Sequence, residues 1–177
     1  MGFTLITHFD DRGYRAINAA LECVSNEKLC RVPYGRVNEN ERFLVDTLPF
    51  HFTISSSNEM QNHIIDRMRD FSLDSFCVMI DGLGIMKGRN NSFVLFFTMS
   101  ANQEMNELRI RIHKRIGNNS FLPQNHINHI TICISTDFEE VIRVKQKIER
   151  VFLPFSLRIN SIGLYRIWPG KLISIYE

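Results

Sequence analysis

The 177-residue chain lacks the features that mark several large classes of protein. It has no apolar run near the ~20 residues that a membrane-spanning helix needs. Its formal net charge is only +2, which indicates no broad basic surface for long nucleic acid. Its four cysteines form no C-x-x-C pair, and Cys77 and Cys133 lie inside apolar runs like ordinary core residues. These absences predict a soluble, cytoplasmic protein without membrane contact, and they are compatible with a small anionic ligand or one end of an RNA.

What the chain does contain is enough apolar residues for a single globular domain over residues 1–177. Hydrophobic residues make up 44% of the sequence and include 14 phenylalanines. A strand at Phe3–Phe9 and a helix at 11–24 come first, before a polar loop at 25–47. Two rounds of strand, helix, strand and strand follow, and their predicted strands are 51–55, 76–86, 93–99, 129–135, 155–165 and 172–176.

Each round also carries a helix that begins with a capping box. Ser56 with Glu59 opens the first of these helices, and Thr136 with Glu139 opens the second. A further helix at 102–116 lies between the rounds, with an apolar stripe formed by Met105, Leu108, Ile112 and Ile116. The fold class predicted from this order is α+β, with mostly antiparallel strands.

The two rounds repeat at a nearly constant spacing. His51 and His129 are 78 residues apart, and Phe76 and Phe155 are 79 apart. Matching elements at a fixed offset indicate an internal duplication, with units near 51–99 and 129–177. We therefore expect a bilobal fold with a pseudo-two-fold axis, in which helices flank the sheets and a cleft lies between the lobes.

The clearest functional signal is a His-x-Thr motif at the same place in both rounds. Alternate residues of a strand share a face, so His51 points with Thr53 and His129 points with Thr131. Across a pseudo-two-fold axis, two imidazoles and two hydroxyls would then face one cleft. In-line cleavage of a phosphodiester needs such a pair, because one histidine takes a proton from water while the other protonates the leaving oxygen. The hydroxyls would stabilise charge on the remaining phosphate oxygens, and no metal or other cofactor is needed.

These motifs resemble those of the two-histidine (2H) phosphoesterase superfamily, which includes RNA 2′,3′-cyclic phosphodiesterases and proteins called 2′–5′ RNA ligases. The family carries two H-x-[ST]-apolar motifs about eighty residues apart on a duplicated α+β fold. In this chain the motifs are His51-Phe52-Thr53-Ile54 and His129-Ile130-Thr131-Ile132. Many members have proline before each histidine, whereas this sequence has Phe50 and Asn128, which leaves the subfamily open.

The resemblance implies hydrolysis of a cyclic phosphate, typically a 2′,3′-cyclic phosphate on an RNA end or a nucleotide, opened to a 2′-phosphomonoester. On the sequence alone we assign His129 as the general base and His51 as the general acid. The alternatives are a phosphodiesterase for 2′–5′ linked or cyclic oligonucleotides, and a non-catalytic module that binds RNA ends. Retention of both histidines and both threonines favours an enzyme. We expect a monomer that acts on a small nucleotide or an RNA terminus.

The loop before the first motif is the main asymmetry between the rounds. Residues 25–50 precede the first motif, whereas only the 12 residues 117–128 precede the second. The longer loop contains Tyr34, which can stack on a base, and Arg36 and Arg42, which can pair with phosphate. We interpret these three residues as candidate substrate contacts, and a solvated loop with incidental charges is the alternative.

The remaining histidines and one basic run carry less specific signals. His126 and His129 form H-x-x-H, but no third ligand lies nearby in sequence, so no metal site is predicted. His8, near Asp10 and Asp11, is interpreted as a strand-end residue, with membership of a site as the alternative. His63 and His113 are interpreted as solvent-facing residues on helices. The basic run is assigned to the solvated outer face of the helix at 102–116, and it consists of Arg109, Arg111, Lys114 and Arg115.

Overall fold

The computed structural model describes residues 2–31, 48–57, 61–117, 127–167 and 171–177. Within these ranges the strands are β1 (Phe3–Phe9), β2 (Thr53–Ser57), β3 (Phe76–Lys87), β4 (Phe93–Met99), β5 (His129–Ser135), β6 (Phe155–Arg166) and β7 (Lys171–Tyr176). The helices of the same ranges are α1 (Asp11–Ala20), α2 (Gln61–Met68), α3 (Gln103–Ile116) and α4 (Phe138–Glu149), with a short 3-10 helix at Glu22–Val24. The predicted α+β class with antiparallel strands is confirmed.

All seven strands join one antiparallel sheet in the order β2-β1-β6-β3-β4-β5, with β7 paired to β6. The two halves of the chain meet where β3 pairs with β6, and Phe76 lies opposite Ile159 while Ile80 lies opposite Phe155. The 79-residue offset makes Phe76 equivalent to Phe155 and Ile80 equivalent to Ile159. Exchanging each residue for its equivalent therefore turns one of these two pairs into the other. A two-fold axis through the sheet requires that relation. The bounds of the repeated unit stay a prediction.

The helices cover one face of the sheet and bury their apolar stripes in a single core. The predicted stripe of α3 is confirmed, because Met105, Leu108, Ile112 and Ile116 are at most 2% exposed. The other helices add Ile17, Ile64, Met68, Val141, Val144 and Ile148 to the same core. None of the helices in the described ranges combines the length and the apolar character needed to cross a bilayer.

The predicted start of α2 is wrong. Ser56 lies inside β2, where it pairs with Thr4 of β1, so it does not cap a helix. The helix begins at Gln61, and the other member of the predicted capping box, Glu59, lies outside the described residues. Pairing with β1 therefore extends the strand past the point where the local pattern predicts a helix.

The predicted cap of α4 is also wrong, by one residue. Asp137 rather than Thr136 caps this helix, and its carboxylate accepts hydrogen bonds from the backbone N–H groups of Glu139 and Glu140. A carboxylate at this position also interacts favourably with the positive end of the helix dipole. Threonine and aspartate are both good caps, and only aspartate adds this favourable charge.

Two element bounds near the first motif also differ from the prediction. The first helix ends at Ala20, and the chain tightens into the 3-10 turn that still buries Val24. Strand β2 begins at Thr53 rather than at His51. The register of β2 against β1 starts with Ile6 opposite Thr53, next to a bulge, so the motif histidine lies just before the strand.

Candidate active site

The two His-x-Thr motifs lie on the face of the sheet opposite the helices. Thr53 pairs with Ile6 of β1, and Thr131 pairs with Phe96 of β4. The apolar neighbours of the motif residues are at most 1% exposed and belong to the core: Phe52, Ile54, Ile130 and Ile132. Because alternate strand residues point to opposite faces, the histidines and threonines of both motifs point away from the helices.

The first motif is fixed to β1 by a buried threonine. Thr7 is fully buried, and its hydroxyl accepts a hydrogen bond of 2.9 Å from the backbone N–H of Phe52. Its own backbone N–H donates to the Phe52 carbonyl at 3.0 Å. These two bonds continue the pairing of β1 and β2 up to the residue that separates His51 from Thr53.

Both motif histidines have the same ring orientation, set by the backbone just before them. Nδ1 of His51 lies 2.6 Å from the carbonyl oxygen of Pro49, and Nδ1 of His129 lies 2.8 Å from that of Ile127. A carbonyl can only accept, so Nδ1 carries the hydrogen in both rings. The nitrogen that takes up or releases a proton is therefore Nε2 in each case.

Both imidazoles favour their neutral form because they are buried. Burial lowers the pKa of His51 to about 4, and repulsion from Arg31, His129 and His8 acts in the same direction. Burial also lowers the pKa of His129, with a further contribution from Arg109. The charge of His129 thus acts on His51 even though β2 and β5, the strands of the two motifs, lie at opposite edges of the sheet. The two motif histidines are therefore electrostatically coupled, and a positive charge on His129 disfavours a positive charge on His51.

Arg31 reaches this site through a segment that connects the two halves of the fold. Glu27 forms ion pairs with Arg143 and Lys147 of α4, and the carbonyl of Cys30 accepts a hydrogen bond from the backbone N–H of Ile134 in β5. The Arg31 guanidinium then lies 4.2 Å from the centre of the Phe50 ring, directly before the first motif. Sequence reasoning missed Arg31, because nothing local indicates that this loop crosses to the opposite half.

Arg109 plays the matching part beside the second motif. Its Nη1 donates a hydrogen bond of 2.7 Å to Oδ1 of Asn128, the residue before His129. Arg109 is half-buried, so its assignment to a solvated helix face is wrong. The next members of the basic run, Arg111 and Arg115, are exposed and donate to backbone carbonyls of the segment 67–72.

The motif threonines lie on the same face of the sheet as the motif histidines. Thr53 and Thr131 are both half-buried, and neither hydroxyl forms a hydrogen bond with a residue that the structure describes. Both hydroxyls are therefore available to a ligand. A hydroxyl can donate to an anionic oxygen without adding charge to the cleft.

The other candidate residues from the sequence lie at several different places in the chain. His8 lies at the end of β1, as predicted; its Nε2 lies 3.0 Å from the hydroxyl of Tyr165, and its charge acts on His51. The exposed histidines on helices are His63 and His113, as predicted. The remaining candidates lie outside the described residues: Tyr34, Arg36, Arg42 and His126. Among the described residues, no group of three or more His, Cys, Asp or Glu side chains is gathered in a way that could hold a metal ion.

The buried imidazole of His51 makes stability depend on pH. Its pKa is about 4 in the folded protein against an ordinary value of 6.5, so between these values the unfolded chain binds a proton that the folded protein does not. Stability is therefore lost as the pH falls through that window. Asparagine keeps a donor for the Pro49 carbonyl but cannot be protonated. We expect His51→Asn to match the wild type at pH 7.5 and to be more stable at pH 5, by up to about 2 kcal/mol.

Urea unfolding at several pH values measures this difference. His63→Asn, at an exposed histidine of α2, is the matched control and should follow the wild type at every pH. An equal difference between His51→Asn and the wild type at pH 5 and pH 7.5 would contradict the buried neutral state of His51.

Solved structures with the same fold are known, whereas no protein-family model and no curated protein matches the sequence. The Thermus thermophilus protein TT0787 is 12% identical, with a TM-score of 0.60 over 99% of this chain and 97% of that one. Escherichia coli LigT, solved with 3′-AMP, is 11% identical, with a TM-score of 0.56 over 98% and 95%. Kluyveromyces marxianus Usb1, solved with uridine monophosphate, is 14% identical, with a TM-score of 0.51 over 97% and 95%. The predicted resemblance to the fold of the two-histidine phosphoesterases is confirmed.

Proposed function

We propose that this chain, which has the fold of the two-histidine phosphoesterases, hydrolyses a cyclic phosphodiester without a metal. The substrate is a 2′,3′-cyclic phosphate on an RNA end or a nucleotide. The observation that carries the proposal is the matched pair of imidazoles: His51 and His129 each have Nδ1 fixed by their own backbone so that Nε2 exchanges the proton, and the charge of His129 acts on His51. In the proposed site these two imidazoles face one cleft. The ligands solved with LigT and Usb1, 3′-AMP and uridine monophosphate, add support because both are nucleoside monophosphates.

The reaction needs one proton to be removed and one to be supplied on opposite sides of phosphorus. A neutral imidazole takes a proton from water through Nε2, and the water oxygen forms the new bond to phosphorus. The bond from phosphorus to O3′ breaks, and the second imidazole gives its Nε2 proton to that oxygen. The product is a 2′-phosphomonoester with a free 3′-hydroxyl, and the two histidines end with their protonation states exchanged.

We assign His51 as the base and His129 as the acid, the reverse of the roles expected from the sequence. The base must enter the reaction neutral, and the pKa of His51, about 4, keeps it neutral at every ordinary pH. The acid must enter charged. The pKa of His129 is also lowered by burial, but the negative charge of a bound phosphate favours its protonated form.

The phosphate oxygens that do not react have several partners in the cleft. The hydroxyls of Thr53 and Thr131 donate to them from the two motif strands. The guanidinium groups of Arg31 and Arg109 add positive charge, one beside each motif histidine. Charge on these oxygens grows in the transition state, so donors that are already in place lower the barrier.

A substrate screen tests the proposal directly. The protein is incubated with 2′,3′-cyclic nucleotides, with RNA that ends in a cyclic phosphate, and with 2′–5′ oligoadenylate, and the products are separated by chromatography. We expect phosphomonoesters from the cyclic phosphates. Cleavage of the 2′–5′ linkage alone would replace the proposed substrate with the alternative one, and binding without turnover would indicate an RNA-end binding module.

Chelation is expected to leave the reaction unchanged. The proposed steps use two imidazoles and two hydroxyls, and none of them requires the carboxylate-held cation of a metal-dependent phosphodiesterase. Initial rates with and without EDTA, after extensive dialysis against chelator, should agree within error. A metal-dependent nuclease assayed in the same buffers serves as the control for effective chelation. Loss of activity that a defined divalent ion restores would refute the metal-free mechanism.

A further inference from the structure

A second polar pair occupies the same cleft and has no part in the proposed proton transfers. Nε2 of His8, on β1, lies 3.0 Å from the hydroxyl of Tyr165, on β6. The two rings are tilted by 50° with their centroids 5.7 Å apart. Tyr165 is only 8% exposed, so most of its side chain is shielded from bulk solvent.

A glycine makes room for this pair. A Cβ atom at Gly163 would lie 2.5 Å from a ring carbon of Tyr165 and 2.6 Å from Nε2 of His8, both far shorter than a van der Waals contact. The rings can therefore lie over strand β6 only because residue 163 has no side chain. At the matching place in the other half, Gly84 accommodates the ring of Phe96, which has no polar atom. The polar pair thus lies in the part of the sheet formed by β2, β1 and β6, beside the first motif, and the equivalent place at Gly84 in β3 holds an apolar ring.

The pair shares the sheet face of the catalytic motifs. Ile6 lies opposite both Thr53 and Gly163 in its two neighbouring strands, and residues directly opposite each other share a face. His8 and Tyr165 are each two residues away from a member of this row, so they point to the same side. The two hydrogen bonds between Thr7 and Phe52 place His8 and His51 at adjoining positions of two antiparallel segments, and the charge of His8 acts on His51. The pair therefore lies on the His51 side of the cleft.

One donor hydrogen of His8 and Tyr165 is not used in the bond between them. Burial lowers the pKa of His8 and raises that of Tyr165, so both groups are neutral at neutral pH. A neutral imidazole and a phenol have two donor hydrogens, and the bond between them uses one. Neither side chain forms another hydrogen bond with a residue that the structure describes. The remaining hydrogen, on Nδ1 of His8 or on the Tyr165 oxygen, is available to a ligand.

We propose that His8 and Tyr165 form a phosphate-binding pair that donates one uncharged hydrogen bond to a phosphate oxygen of the substrate on the His51 side of the cleft. The inference rests on the proposed function for the identity of the substrate. The contact forms with the bound phosphate before reaction and persists through it. Its loss therefore weakens binding and leaves the chemical step unchanged.

Tyr165→Phe is the sharpest test, because it keeps the ring over Gly163 and removes only the hydroxyl. With a 2′,3′-cyclic nucleotide we expect KM to rise about 10- to 100-fold, the loss typical of one hydrogen bond to a charged group, with kcat within about twofold. Gly163→Ala displaces both rings and should raise KM by a similar factor. Tyr176→Phe, which removes a buried hydroxyl from the core side of β7, is the matched control and should change neither constant.

Binding of orthophosphate, adenosine 2′-monophosphate and adenosine, measured by calorimetry, separates this inference from the proposed function. The inference holds if Tyr165→Phe weakens the first two ligands and leaves adenosine unchanged, and it holds on that result even if the wild type hydrolyses no cyclic phosphate. Unchanged affinity for orthophosphate and the monophosphate, or weakened binding of adenosine as well, overturns it.

A wild type that hydrolyses cyclic phosphate while Tyr165→Phe retains its KM overturns the inference alone. A wild type that neither turns over substrate nor binds these phosphates overturns both.

Discussion

Replacing either motif histidine with alanine is expected to lower kcat for a 2′,3′-cyclic nucleotide by ~10²–10⁴-fold, the loss typical of removing a general acid or base. His51 and His129 cannot replace each other, because the reaction needs one neutral and one charged imidazole at the same time. The double variant should lose little more than either single one, since the two groups act as a unit. Single-turnover rates on the three variants measure this directly.

The control for folding is His63→Ala, which removes an exposed histidine of α2 and should retain full activity. Thermal unfolding should show each motif variant to be folded at pH 7.5. Full activity in either His51→Ala or His129→Ala would refute the two-histidine mechanism.

The pH dependence of kcat/KM assigns the two roles. The profile should be bell-shaped, with its acid limb near pH 4, where His51 becomes charged, and its alkaline limb below pH 6.5, the ordinary value for histidine, where His129 loses its proton. In the residual activity of the variants, His51→Ala should lack the acid limb and His129→Ala should lack the alkaline limb. The opposite pattern would restore the roles expected from the sequence.

The parts of the site that the sequence predicts are those set by local periodicity. A strand places residues i and i+2 on one face whatever its partners are, so the pairing of His51 with Thr53 and of His129 with Thr131 follows from spacing alone. The fold class follows in the same way, because the strands and the stripe of α3 have clear periods of their own. The expected two-fold arrangement of the motifs follows from the nearly constant offset between the two rounds.

The parts that the sequence does not predict depend on contacts between distant segments. Arg31 reaches the cleft because the preceding segment pairs with α4 and β5, more than a hundred residues later. His8 becomes part of the site through Tyr165, 157 residues away, and through the space left by Gly163. Ser56 belongs to a strand rather than to a cap because β1 is there to pair with it. The local sequence pattern contains no information about such contacts. In each case the pairing of distant segments decides the structure instead.

The second large effect concerns the motif threonines. Valine keeps the shape and strand preference of threonine and removes only the hydroxyl. Neither the Thr53 nor the Thr131 hydroxyl bonds to a described residue, so its loss should leave the fold intact. We expect Thr53→Val and Thr131→Val each to lower kcat by ~10²–10³-fold, the range for removing one donor that stabilises developing charge.

The matched controls separate the hydroxyl from the side-chain shape. Thr53→Ser and Thr131→Ser retain the donor and should keep most of the wild-type kcat, while Thr136→Val, at an exposed residue before α4, should change nothing. The loss should fall on kcat more than on KM, because the charge that the hydroxyls stabilise is greatest in the transition state. The expected effect of the threonine variants therefore differs from that of Tyr165→Phe, which should raise KM and leave kcat nearly unchanged. If both valine variants retain the wild-type kcat, Arg31 and Arg109 carry the stabilisation of the phosphate oxygens without the motif hydroxyls.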